Sequence, residues 1–179
     1  MHRLEIRSRS CKSCLSCPKG LSSYLLCGLD SCLCIFTFSK ARHYLGRADW
    51  DAKAQDSGSE AHHVFGTLHQ HGLLTLVDGD LEMVEGITLM AALGETPGHQ
   101  IVRVQSQGQT MYCIGDLYHH EVELAQPNWN MSWVDPTANR ASRQQLRRMA
   151  QAEQAYSIAS HIREVIAPER LQEPTHEVG

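Results

Sequence analysis

Three short segments carry side chains able to bind a metal. In Glu95-Thr96-Pro97-Gly98-His99-Gln100, proline and glycine force a tight turn after a strand and present the imidazole at a strand end. In Ile114-Gly115-Asp116-Leu117, a carboxylate sits just beyond a strand, beside a glycine that allows close backbone approach. In Ala159-Ser160-His161, a second histidine ends a short apolar strand. Imidazole and carboxylate suit zinc and similar divalent ions, and three such groups at strand ends could converge on one rim. Each segment also has a purely structural reading: a turn, a loop and a structural histidine. His119 and His120 follow Asp116 closely. They read equally as groups lining a pocket or supporting its ligands, or as a solvated loop.

Two other groupings compete. Leu68-His69-Gln70-His71-Gly72 places two histidines two apart, but Leu73 and Leu74 follow where further ligands would be needed. On a helix, residues two apart do not share a face. His62 and His63 read as surface residues. The cysteines at 11, 14, 17, 27, 32 and 34 include the spacing Cys11-x-x-Cys14-x-x-Cys17, which could supply thiolates to zinc or an iron–sulfur cluster. Cys27, Cys32 and Cys34 form no second CxxC unit. A disulfide framework would need an oxidising compartment. The segment reads first as a poorly ordered leader, with metal binding and a reactive or disulfide-bonded segment as alternatives.

The elements that must position these groups follow from pattern. Arg42 to Gly46 is strand-like, and Asp49 reads as the N-cap of a helix starting near Trp50. Lys53 to Glu60 is polar and loop-like. Ala61 to Leu73 reads as a helix with Val64, Phe65 and Leu68 on one side, ended by Gly72. Leu74 to Val77 is a strand and Asp78-Gly79-Asp80 a turn. Met83 to Leu93 holds two short strands around Glu85-Gly86. Ile101 to Val104 and Thr110 to Ile114 form a hairpin with Gly108 at its turn. Pro136 to Tyr156 is the clearest helix. Leu146, Met149, Ala150 and Ala152 are expected to face inward, and Arg140, Arg143, Arg147 and Arg148 to be mostly solvated. Ser157 to Ser160 is a short buried strand. Hairpins and meanders separated by helices imply an α+β fold of mixed sheets flanked by helices, not a regular doubly wound sheet.

Composition divides the chain. Residues 1–40 hold six of the seven cysteines, with six Lys/Arg against two Asp/Glu, whereas residues 41–179 hold ten Lys/Arg against eighteen Asp/Glu. A boundary near Lys40 follows, giving a leader (1–40), a domain (41–167) and a tail (168–179) that is polar and expected to fray. A hydrophobic fraction of 42% suffices for a packed core. The net charge of −4 argues against a general nucleic-acid binder. No apolar run reaches the roughly 18 residues of a spanning helix, so no membrane association is expected. The basic start lacks a clear cleavage site, and a cytoplasmic setting is expected.

Taken in order, TPGH, a hairpin, Gly115-Asp116, a helix and Ser160-His161 resemble the C-terminal part of the metallo-β-lactamase superfamily, in its lactonase-like subset. The likeness extends to Arg47-Ala48-Asp49-Trp50, Leu76-Val77-Asp78-Gly79-Asp80, Gly115 to His120, Pro127-Asn128-Trp129 and Ser142-Arg143, about two-thirds of the chain. The resemblance implies an αβ/βα sandwich with one or two metals, usually zinc, at one sheet edge. It implies hydrolysis of a small-molecule ester, lactone, amide or phosphoester. His99 would complete the first metal site, Asp116 would bridge both metals and His161 would bind the second.

One departure is plain. The family's HxHxDH motif should precede Ala48-Asp49-Trp50, yet His2 is the only histidine of the leader. The expectation is therefore a truncated or mis-started hydrolase, impaired or inactive as given. The alternatives are an active enzyme with leader cysteines in a rebuilt site, and a non-catalytic module completed by a partner chain. The missing strands imply an exposed sheet edge prone to self-association.

Overall fold

The computed structural model describes residues 41–54, 58, 61–126 and 128–171. The expectations for the cysteine-rich leader, for most of the Lys53–Glu60 loop and for the end of the tail lie outside these residues.

Two sheets form. The smaller pairs β1 (His43–Gly46) in parallel with β2 (Leu74–Val77). Between them lie a short helix α1 (Arg47–Asp49), which runs into a π-helical turn (Trp50–Ala54), and a second π-helical turn (His62–Gly66), which runs into α2 (Thr67–Gln70). The larger sheet has the order β3 (Leu81–Val84), β4 (Ile87–Ala91), β5 (Gln100–Ser106), β6 (Gln109–Gly115), β7 (Tyr156–Ala159). Its pairings are antiparallel except for β6 with β7. A hairpin can close in two residues, and Gln107 (φ 51°) with Gly108 (φ 76°) does so between β5 and β6. A parallel pair needs a crossover. That crossover contains α3 (Val122–Ala125) and α4 (Pro136–Ala152).

Alternation along the strands explains the layers. Ile101, Tyr112 and Ile114 turn to one face, where Leu146 and Ala150 of α4 cover them. Val102 and Cys113 turn to the other, where Tyr44 and Val77 of the small sheet meet them. Leu45 and Leu74 of the small sheet pack with Val64, Phe65 and Leu68 beneath the helical turns. Helix, sheet, sheet and helix thus stack as a partial αβ/βα sandwich, as the sequence implied.

Three expectations are corrected. Asp49 is not an N-cap: the cap position is Gly46, and Asp49 lies inside the turn with its carboxylate engaged elsewhere. On α4, Arg143 and Arg147 are buried and Ala152 is exposed, because the two guanidinium groups find partners inside. The tail does not fray at once. Pro168–Leu171 forms a 3-10 turn with Pro168 and Leu171 buried, and the Leu171 carbonyl accepts from Gln151 Nε2 at 3.2 Å.

Candidate metal centre

Parallel pairing of β6 and β7 sets the first pair of groups. The two strands end at the same sheet edge, in register at Gly115 and Ala159 after a shift, and Ser160 N donates to Gly115 O at 2.9 Å. The residues just beyond, Asp116 and His161, are therefore neighbours, with His161 Nε2 3.4 Å from Asp116 Oδ1. His161 is half exposed and Asp116 mostly covered.

His99 reaches this edge on the turn between β4 and β5. Its Nδ1 lies 2.9 Å from the Ala92 carbonyl. A carbonyl only accepts, so Nδ1 carries the proton and Nε2 presents its lone pair. That Nε2 is buried with no partner. Burial pushes the His99 pKa down, against the opposing pull of the Ala92 carbonyl and the charges of Asp116, Glu95 and Asp49. A neutral imidazole with a fixed tautomer and an unused lone pair has the form of a metal ligand.

The turn is pinned from the small sheet. Asp49 accepts from Gly98 N at 2.7 Å and Thr96 Oγ1 at 2.8 Å. Gly98 is required by space: a Cβ there would lie 2.7 Å from Asp49 N, and one on Gly46 would lie 2.1 Å from Gly98 O. The carboxylate read as a helix cap thus ties the first strand and helix to the turn that carries His99.

His119 joins the group. One ligand atom from each of Asp116, His119 and His161 lies within 4.8 Å of the others. The His119 and His161 rings stack with centroids 5.1 Å apart. His119 Nε2 is 3.5 Å from Glu95 Oε2, and Glu95 Oε1 accepts from Trp133 Nε1 at 2.9 Å. Burial works to raise the Glu95 pKa, but His119 and Trp133 outweigh it and hold the carboxyl below its ordinary value. Burial likewise works to lower His119, and Glu95 outweighs it, so the imidazole sits above its ordinary range. The loop is held from behind. Glu123 Oε2 accepts from His119 N at 2.9 Å and from Arg143 at 2.6 Å, and Arg143 also donates to the carbonyls of Leu117 and Trp129.

The structure therefore brings together Asp116, His161 and His119. His99 lies within reach of the Asp116 charge but outside the 4.8 Å group. His120 stands apart: it is exposed, and its Nδ1 accepts from Val122 N at 3.1 Å. His69 and His71 are exposed, and His69 packs on Trp50. Sequence reasoning gave no role to Glu95, Trp133 or Glu123, and named Arg143 only in the Ser142-Arg143 likeness and as a solvated residue. Glu95 stood at the start of the TPGH segment, which was a usable signal. The others are separated from the ligands by loops and a helix.

No protein-family model matches the sequence, and no curated protein matches it. Solved structures do match. A probable metal-dependent hydrolase from Staphylococcus aureus is 20% identical with a TM-score of 0.60, over 69% of this chain and 46% of that one. An N-acyl homoserine lactone hydrolase, with N-hexanoyl-L-homoserine bound at its catalytic metal centre, is 18% identical with a TM-score of 0.59, over 79% and 54%. The hydrolase AbOPH of the β-lactamase superfamily is 16% identical with a TM-score of 0.57, over 69% and 48%. The chain spans about half the length of these structures. With its sandwich order and strand-end side chains, the chain adopts part of the fold of the metallo-β-lactamase superfamily.

Proposed function

We propose that the chain carries a metal centre of the metallo-hydrolase type, built on His99, Asp116 and His161, and that it belongs to a hydrolase of small-molecule esters, lactones, amides or phosphoesters. The observation that supports this best is the buried, unpartnered Nε2 of His99, whose tautomer is fixed by the Ala92 carbonyl. Buried polar atoms are otherwise nearly always paired, so an aimed and unused lone pair is best explained by a ligand. His99, Asp116 and His161 would hold a divalent ion, zinc by resemblance, which would supply Lewis acidity to lower the pKa of a bound water to about 7 and polarise the scissile group. The chain's own residues do the positioning. Ala92 fixes His99, the strand register sets Asp116 beside His161, and Trp133 and Glu95 fix His119. The exposed Trp133 ring, edge-on to His119 at 5.5 Å, offers an apolar wall to a substrate. The sequence contains no HxHxDH motif, so turnover by this chain is proposed to be weak or absent. A cytoplasmic setting, read from the sequence, is proposed with it. Among the described residues no helix is long and apolar enough to cross a membrane.

The test is zinc content per chain after dialysis, beside metal-dependent turnover of an aryl ester and lactone panel, with Asp116→Ala as control. Zinc near one equivalent, lost in the control, supports the centre. A wild-type chain without zinc above background overturns it.

The second reading is a non-catalytic assembly module completed by a partner chain. It is favoured by the small sheet, in which β1 and β2 pair only with each other among the described residues. Such edges template further strands. A monomer in size-exclusion chromatography at high protein concentration overturns this second reading.

A further inference from the structure

His119 is the buried group that neither the resemblance nor the strand-end pattern assigns. Its side chain is 9% exposed. Glu95 faces Nε2, while Nδ1 is buried with no partner. A histidine held by a carboxylate on one nitrogen and bare on the other is how imidazoles are prepared for a metal, with the carboxylate fixing tautomer and ring orientation. Glu95 is itself oriented by Trp133, so the arrangement runs Trp133 to Glu95 to His119.

The geometry points to His119 as a metal ligand, completing with Asp116 and His161 a single three-ligand site for a divalent cation. This rests on the metal-centre reading above and sharpens it. Ligands about 2.1 Å from a zinc ion lie no more than about 4.2 Å apart. Tetrahedral placement brings them to about 3.4 Å, so a group within 4.8 Å needs its widest pair to close by up to about 1.4 Å. Two imidazoles and one carboxylate match the His2-carboxylate donor sets of catalytic zinc, which keep a fourth position open. The inference also ranks the two positions. On the His161 side, Asp116, His119 and His161 give three protein ligands. On the His99 side, the named donors are His99 and Asp116. By donor count the His161 side would be the stronger of the two positions.

The experiment is titration of the chelator-treated full chain with zinc(II), and with cobalt(II) read by its visible absorption. The variants are His119→Ala, Glu95→Gln and the control His120→Ala, each checked by circular dichroism. The wild-type chain and the His120→Ala control, whose exposed ring stands apart from the group, are expected to bind about one equivalent with similar affinity. His119→Ala is expected to weaken affinity at least tenfold and to change the cobalt spectrum. Glu95→Gln should weaken it about tenfold, the usual effect of removing a carboxylate behind a histidine ligand. Should His119→Ala fail to fold, Glu95→Gln alone decides. Unchanged affinity and spectrum in His119→Ala, or in Glu95→Gln where that variant decides, with zinc still bound by the wild type, overturns the role of His119 and leaves the metal centre standing. No binding by the wild type overturns both.

Discussion

Two buried polar clusters flank the loop that follows Asp116, and they differ in one respect. Behind the loop, Arg143 and Glu123 are almost fully buried, and the Arg143 donors meet Glu123, Leu117 O and Trp129 O. Glu123 closes the set by accepting from His119 N, and Tyr118 lies under the guanidinium at 4.5 Å. In front of the loop, His99 Nε2 and His119 Nδ1 are buried without hydrogen-bond partners, and Glu95 Oε2 has only its 3.5 Å ion-pair contact with His119 Nε2. The same physics bears on both, since an unpaired buried polar atom costs about 1–3 kcal/mol. The rear cluster uses its polar groups to hold the fold. The front cluster leaves polar atoms unpartnered. Orphaned atoms also occur at His43, Asn130, Asn139 and Ser157. At the front they come from two segments, the Glu95–His99 turn and the loop that follows Asp116.

The largest effect should come from breaking the rear cluster. Arg143→Met leaves Glu123 charged, buried and unpaired, and removing one partner of such a pair costs about 3–5 kcal/mol. Urea denaturation should show that loss. Adding Glu123→Met should recover much of it, because a hydrophobic replacement of the whole pair is often near neutral. A single-variant cost below about 1 kcal/mol would break the comparison, since the rear cluster would then not be the stabilising one.

A middle effect is expected at Asp49, which ties the small sheet to the front cluster. Its two accepted hydrogen bonds end on a charged group, and Asp49→Ala should cost about 2 kcal/mol in the same assay. With the cation on Asp116, His119 and His161, zinc affinity should move less than twofold while any turnover that depends on His99 falls. A large loss of zinc affinity with little loss of stability would instead assign the turn, and His99 with it, to the tighter ion.

How much of this was legible follows from the range of each signal. Leu74 to Val77 as a strand, Gly108 at a hairpin turn and Val64, Phe65 and Leu68 on one side are local patterns, and the structure has them as read. The burial of Arg143 and Arg147 was not legible. Helical spacing shows which residues share a face, but the partners that make a buried guanidinium tolerable lie on loops 14 to 29 residues away in sequence. Asp49 was misread for a similar reason. An acid beside a helix start fits a cap, and the competing donors on Thr96 and Gly98 are 47 and 49 residues on. The juxtaposition of Asp116 with His161 was readable as two strand ends. That His119 joins them depends on a loop conformation set by Glu123, which no local pattern reports.

The smallest effect tests whether a satisfied cluster matters when it is only partly buried. Glu153 pairs with Arg103 and accepts from Tyr112 Oη at 2.7 Å, with about a quarter of each ion-pair side chain exposed. Burial works to raise the Glu153 pKa, and Arg103 and Tyr112 outweigh it, so the folded value lies below the unfolded one. Its contribution is therefore present above the unfolded value of about 4.3 and is lost as pH falls through the folded value. Glu153→Gln should cost no more than about 1 kcal/mol at pH 7, and the difference from wild type should shrink as the pH is lowered toward 3. Tyr112 acts at the other end. Burial first, and then Glu153, push its pKa up to about 12, so stability should fall as pH rises from about 10 toward 12. Tyr112→Phe should remove that alkaline loss. Urea midpoints across both windows check the pair. A pH-independent cost for Glu153→Gln would mean that the side chain acts by packing, and that partnering stabilises this fold only where water is fully excluded.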